Sequence, residues 1–512
     1  MRRWKRKILA AVLVIASVLP LAACGQSVKK YDDKSAYEEL LQETKKKNER
    51  LKAPEIIPDE YFYNAGQDKE TFGGDDFALW RAAKEQKEMS PWISREEAEQ
   101  ELSWLLRLLR SYYGNYGRSG GDEAFEAAAV HVTEAFEGDL KKGFGEYEEL
   151  LGREFAFAVD NDRHFSIGFS MTEEYSLLGN LEQSYWRNDG KYFMDKACTM
   201  EIKKIDGEDP ETYLRPAIGQ KGELTWYPYI IGGPGEHSRE IEIEYTEQKL
   251  FFNKTRRKTV QLSETDYEGG EDVAQKDIYR YEERGGSPWI KWSQFPKPER
   301  EISQEFILAA SKIKGHPYAV IDLSDNSGGE ERTLGIWFEA YTGRLHTPHV
   351  NVLKRMKTED LLTETEEKKA YEEDVAMFRR MGQTEENGYK VVRPGKQKPK
   401  ENAQRLFLVT SRRSASCAEM MTDSCRDIGN TVVIGANTFG CLSGDVTETL
   451  ALPLSGVPVS FGASLYQWDE DYFKEGRGLA PDLYLTGEDC EERLELFLNQ
   501  YAKVEEGTTD GR

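Results

Sequence analysis

The chain has 512 residues, 38% of them hydrophobic and 11% aromatic, and carries a formal net charge of -23. That length exceeds one ordinary core and sets an expectation of about two to four domains. The strongly negative field excludes a nucleic-acid partner gripped through its phosphates.

The chain opens with the basic run MRRWKRK, followed by the apolar run ILAAVLVIASVLPLAA and then Cys24. Leu21-Ala22-Ala23-Cys24 resembles the lipobox of a bacterial lipoprotein, with residues 1–23 as signal peptide and lipid carried by the Cys24 thiol. The alternatives are an ordinary signal peptide or a single membrane anchor. The apolar run falls short of the roughly 20 residues that a spanning helix requires. Nothing later in the sequence reads as a membrane span, so the remainder is expected at the extracytoplasmic face of the cell membrane. Five cysteines remain beyond Cys24, an odd number without a CxxC spacing, which points to neither a disulfide framework nor a zinc cluster.

Residues 24–91 are charged and broken by Pro and Gly, and read as a tether and linker with short helical pieces. Order is expected from Ser94, where Ser94-Arg95-Glu96-Glu97 forms a capping box ahead of Ala98, Leu102, Leu105, Leu106 and Leu109 on one face. Further amphipathic runs over about 122–136 and through EYEELLGREFAFAV complete a small helical domain, 92–165. Alternating strand-like pieces then fill a β-rich middle module, 166–300. From 301 to 490 the helix EFILAASKI and the apolar runs PYAVIDL, LFLVT and TVVIG predict an α/β domain, with a charged insertion at 355–401. Residues 491–512 read as a C-terminal helix and tail.

Three places offer chemistry. In TSRRSASCAEMMTDSCRDIG (410–429) a strand hands over to a helix at Ser416. There the free N–H groups and the positive helix end favour developing negative charge, although a serine there also serves as a plain cap. On that helix Cys417, Met421, Cys425 and Ile428 share a side and are expected to face the sheet. In IDLSDNSGGE the turn at Gly328-Gly329 presents N–H groups that, with the N–H of Cys417, suit an oxyanion. A tight turn that needs glycine is the plainer alternative. In AVDNDRHFSIGF, His164 stands behind Asp160, Asn161 and Asp162 where a helix passes into a strand. His346 and His349 form HTPH without a third ligand, and neither a metal nor a cofactor is expected.

IDLSDNSGGE, VTSRRSASCAEMMTDSCRDIGNTVVIGANTFG and EGRGLAPDLYL resemble, in that order, three conserved blocks of the carboxy-terminal processing (tail-specific) peptidase family. The resemblance is closer to its tricorn-type Ser-His branch, because a helical region ending in DRHFSI carries a histidine at the matching place. It implies a crotonase-like catalytic domain behind an N-terminal helical domain. It further implies Ser416 as nucleophile, His164 as base, Glu475 as the residue orienting the histidine, and Gly328 or Gly329 with Cys417 as the oxyanion hole. Where Ser-Lys members carry a lysine after T-F-G, this chain has Cys441, which removes that mechanism and leaves a disulfide to Cys417 open. MEIKKIDGEDPETYL resembles the strand, turn and helix of a PDZ domain, so the middle module is expected to be PDZ-like but divergent. The function expected is a serine endopeptidase acting on extracytoplasmic proteins or peptides. The alternatives are an inactive relative that binds peptides or envelope proteins, and a lipoprotein binding a solute or polymer. No long heptad run specifies an oligomeric state.

Overall fold

In LFLVT and its neighbours, successive residues are all apolar, and the reason is a sheet covered on both faces. Six parallel strands form its centre: β1 (Leu214–Ile218), β2 (Ser287–Trp292), β3 (Tyr318–Asp322), β4 (Arg405–Thr410), β5 (Thr431–Gly435) and β6 (Leu483–Tyr484), in the spatial order β2-β3-β4-β5-β6-β1. The computed structural model describes residues 31–502 except 67–68, 86–88, 137, 139–140, 169–173, 249–252, 269–277, 362–364 and 447. The signal-peptide residues, Cys24 and the tail beyond 502 lie outside the described residues.

Eleven helices surround the strands among the described residues. They are α1 (Asp33–Asn48), α2 (Asp76–Glu85), α3 (Arg95–Tyr112), α4 (Gly121–Glu134), α5 (Phe144–Glu154), α6 (Ala156–Asn161), α7 (Glu301–Lys312), α8 (Glu331–Thr342), α9 (Thr365–Arg380), α10 (Cys417–Cys425) and α11 (Cys490–Tyr501). Side chains of β4 alternate between two cores. Phe407 and Val409 pack with Leu494, Phe497 and Leu498 of α11, whereas Leu406 and Leu408 pack with Trp337 of α8 and with Met421 and Cys425 of α10. A third core joins Leu102, Leu105 and Leu109 of α3 to Phe125, Tyr147 and Phe155. The architecture is therefore mixed α/β, with distinct helical and β-rich regions. Among the described residues no helix is long and apolar enough to cross a membrane.

Three expectations change. The charged segment after Tyr31 is not a free tether. Tyr31, Tyr37 and Leu40 are buried, Tyr37 lies edge-on to Phe497 at 5.4 Å, and Tyr31 meets Trp226 at 6.5 Å. Its apolar stripe is short enough to be masked by the surrounding lysines and glutamates. The stretch after Ile205-Asp206-Gly207 forms a single 3-10 turn, Pro210–Thr212, instead of a PDZ-type helix. Finally, the insertion is more than a surface helix and loop. Its strand Tyr389–Val392 pairs with Asn351–Arg355 and buries Tyr389, Val391 and Val392.

Candidate active site

β4 ends at Thr410, and the turn that follows is fastened before α10 begins. Ser414 donates its hydroxyl to the Leu323 carbonyl at 2.7 Å and accepts the Ser411 N–H at 3.0 Å, while the Ala415 N–H donates to the Asn326 carbonyl at 3.0 Å. Ser416 closes the turn with φ 54° and ψ -117°, a left-handed backbone that a side chain tolerates only when its surroundings enforce it. Its N–H donates to Glu419 Oε2 at 3.0 Å. The same buried carboxylate accepts from Thr438 Oγ1, Gly440 N and Cys441 N at 2.6–2.9 Å. Glu419 thus stitches the T-F-G segment to the serine turn. Burial holds its carboxyl above the ordinary range, against the lowering effect of those bonds.

The Gly328-Gly329 turn lies against this corner. A Cβ on Gly328 would stand 2.8 Å from Ser416 Cβ and 2.9 Å from the Ala415 carbonyl, so only glycine allows the approach. The two N–H groups differ. That of Gly328 donates to Asn326 Oδ1 at 2.8 Å. Among the described residues that of Gly329 meets no backbone acceptor, and Cys417 occupies the first helical position, where no intrahelical acceptor exists.

His164 follows α6 and leads into strand Ser166–Ile167, which pairs with Val459 and Ser460 of the α/β half. That pairing carries the imidazole across from the helical region, and Nε2 stands 3.0 Å from Ser416 Oγ. The two side chains line one cavity of about 440 Å³ with Gly329, Cys417, Cys441 and Asp445. Burial disfavours protonation of the ring, but the hydrogen bonding and charge of Asp162, with the charges of Glu475 and Asp445, outweigh it and raise its pKa above the ordinary histidine value.

Ser416, His164, Cys417 and Gly329 are therefore gathered, with Gly328 beside them. Glu475 is near but not on the ring. Its Oε1 accepts the Arg163 N–H at 2.8 Å, and its Oε2 accepts the N–H groups of Ser443 and Leu442 at 3.0 and 3.3 Å. Burial and then the charge of Asp162 push its carboxyl up to about 7, with those bonds and His164 pulling the other way. The acid nearest the imidazole is Asp162, with Oδ1 3.7 Å from Nδ1. Sequence reasoning recorded that aspartate behind His164 without giving it a task, and it passed over Asn115, whose amide donates to Asp162 Oδ2 at 3.1 Å.

The HTPH rings are engaged elsewhere. His349 bonds Asp423 and Asp427 at 2.9 and 3.1 Å, and His346 bonds Ser424 at 2.7 Å, on α10 and the turn after it. Cys417 and Cys441 are both free thiols, so no disulfide joins them. Burial pushes the Cys441 thiol well above its ordinary range, which leaves no base where a lysine would stand.

Residues 289–485 match the family model described as peptidase family S41, which supports a protease function. No curated protein matches the chain. Among solved structures, mature CPAF is 13% identical, covering 80% of this chain and 96% of its own, with a TM-score of 0.38. A lipoprotein from Streptococcus agalactiae is 10% identical, covering 81% and 99%, with a TM-score of 0.36. The tricorn protease is 14% identical, covering 76% and 34%, with a TM-score of 0.31. At these scores no function passes from them to this chain.

Proposed function

We propose that this chain, a member of the tail-specific/S41 peptidase superfamily through residues 289–485, is a serine endopeptidase that cleaves peptide bonds by way of an acyl-enzyme. The observation that carries the proposal is the 3.0 Å approach of His164 Nε2 to Ser416 Oγ, made by two regions that are distant in sequence. A histidine base and the neutral thiol of Cys441 fit a tricorn-type branch on a crotonase-like catalytic half better than a Ser-Lys mechanism.

Ser416 Oγ attacks the substrate carbonyl carbon while its proton passes to His164 Nε2. The carbonyl electrons move onto oxygen, where the N–H groups of Gly329 and Cys417 hold the negative charge. Gly328, whose N–H is already bonded to Asn326, contributes the close backbone approach. Collapse breaks the C–N bond, and the leaving amine takes the proton from His164. Water then gives a proton to the same nitrogen and attacks the ester carbon, the C–Oγ bond breaks, and Ser416 Oγ takes the proton back from His164 as the acid leaves. One oxyanion donor in such a site is worth about 3–4 kcal/mol in the transition state.

The proposed substrates are extracytoplasmic proteins or peptides, met by an enzyme held to the membrane through lipid on Cys24. The test is hydrolysis of casein and of a broad peptide library by residues 25–512, beside Ser416→Ala and His164→Ala variants. Cleavage by the parent and its loss in both variants are expected, and cleavage that persists in Ser416→Ala removes the mechanism. A folded parent without turnover favours the alternative, an inactive peptidase fold that binds peptides or envelope proteins.

A further inference from the structure

Resting on the serine-peptidase reading, we infer that Asp162, rather than Glu475, is the residue that orients His164 and stabilises its charged form. Three observations converge on it. Asp162 is fully buried, and its Oδ1 is the nearest carboxylate oxygen to the imidazole, 3.7 Å from Nδ1. That Nδ1 is itself buried and has no hydrogen-bond partner among the described residues. The carboxylate is also held by two hydrogen bonds and closely approached by the Gly444 backbone. Its Oδ1 accepts the His164 N–H at 3.0 Å, its Oδ2 accepts the Asn115 amide at 3.1 Å, and a Cβ on Gly444 would fall 2.6 Å from Oδ2. Asn115 donates as well to the Ser443 carbonyl at 3.1 Å, so one amide fixes Asp162 relative to the segment that follows Cys441.

Glu475 fails the same requirements. Backbone N–H groups of Arg163, Leu442 and Ser443 occupy both its oxygens, and none of its bonds reaches the imidazole. Burial and the neighbouring Asp162 charge push its carboxyl up to about 7, which disfavours the charged form that an imidazolium needs beside it. An imidazolium forming at His164 needs a fixed anion. The acidic groups facing it are Asp162, Glu475 and Asp445, and Ser464 N and Oγ hold Asp445 at 3.0 and 2.7 Å. Arg163, the adjacent cation, lies over the rings of Tyr175 and Phe439 at 5.4 and 5.3 Å. In hydrolases of this logic a carboxylate at Nδ1 keeps the proton there, so that Nε2 presents its lone pair to the serine. Catalytic hydrogen bonds that are long at rest shorten when substrate loads the site, which suits the 3.7 Å separation.

Asp162 is thus a positioning residue, and two readouts test it on the full chain. In kinetics, Asp162→Asn is expected to lower kcat/KM by about 10³–10⁴-fold, and Glu475→Gln by less than about tenfold. Asp162→Asn also moves the acid limb of the kcat/KM profile to lower pH, because the ring loses the anion that favours its proton. Asp162→Ser, which keeps an acceptor for the His164 N–H but no charge, is expected to behave likewise and guards against a variant that misfolds. In nitrogen-15 histidine NMR, the His164 signal of the parent is expected to report the Nδ1–H tautomer, and that of the aspartate variants a shift toward Nε2–H. An unmoved tautomer, or Glu475→Gln displacing it instead, overturns the assignment. A parent that cleaves nothing overturns the peptidase reading, while the tautomer still decides which acid faces the ring.

Discussion

Ser416 holds a backbone conformation that a serine adopts at a cost of roughly 1–2 kcal/mol. The turn enforces it through Ser411, Ser414, Ala415 and Glu419, each bonded to a neighbouring segment. A serine serving only as a helix cap would not need this strain. Ser416→Gly is therefore expected to be more stable than Ser416→Ala by about 1 kcal/mol and to unfold at a higher temperature, with both variants inactive. Equal midpoints in calorimetry would show that the turn stores no strain. At the facing position, Gly328→Ala is expected to keep the fold and lower kcat by about 10²-fold or more, since the added methyl displaces the Ser416 corner. Activity against the same peptide within twofold of the parent would contradict that geometry.

Helix α10 is too short to be stable by itself and is anchored at both ends and along its side. Its N-terminus is the Ser416 turn. At its C-terminus Arg426 forms a buried pair with Asp482 at 2.8 Å. Along its side and just past its end, His349 bridges Asp423 and Asp427. Burial opposes charge on that ring, but the two carboxylates outweigh it and raise its pKa to about 10, while the imidazolium and other donors keep the Asp423 carboxyl below its ordinary range against burial. The signs follow. The contribution of His349 is complete below its ordinary 6.5 and is lost as pH rises through about 10, whereas that of Asp423 is lost as pH falls below the ordinary 3.8. His349→Gln is expected to destabilise the protein by about 3–5 kcal/mol at neutral pH and to flatten the fall in stability between pH 7 and 10. Denaturant unfolding across that range checks it, and an unchanged slope would remove the latch.

At the scale of the molecule, the proposed activity depends on keeping the helical region against the α/β half. Arg355 is a central fastener. It is buried, donates to the carbonyls of Tyr63, Arg110 and Tyr113, and lies 4.6 Å over the ring of Tyr389. Glu101 is another, accepting from Leu454 N, Ser455 N and Ser455 Oγ. Arg355→Ala is expected to lower kcat/KM at least about tenfold, although the side chain lies outside the 440 Å³ cavity, because His164 and Ser416 then lose their register. Parent-like turnover would show that strand Ser166–Ile167 suffices alone. The proposed lipid on Cys24 adds a geometric limit. From Cys24 to Tyr31, the first described residue and a buried one, an extended backbone spans at most about 25 Å. A lipid on Cys24 would therefore keep an acidic body close to the bilayer. Intact-mass measurement after bacterial expression is expected to find lipid on Cys24, and an unmodified mature N-terminus would reject the anchor.

Much of this was legible from residue type and spacing. The buried runs PYAVIDL, LFLVT and TVVIG became β3, β4 and β5, and the capping box at Ser94 opened α3, because hydrophobic period and caps are local properties. The sequence also singled out Ser416, Gly329 and His164. It did not pair His164 with Ser416 by geometry, reveal the apolar stripe of α1 beneath its charges, or distinguish Asp162 from Glu475. Those outcomes depend on which oxygens other segments already occupy. Local physics determined the strands, the helices and the kinds of reactive group on the chain. Only the tertiary structure decided which groups meet, because contacts across hundreds of residues are set by packing between segments and by competition for hydrogen-bond donors.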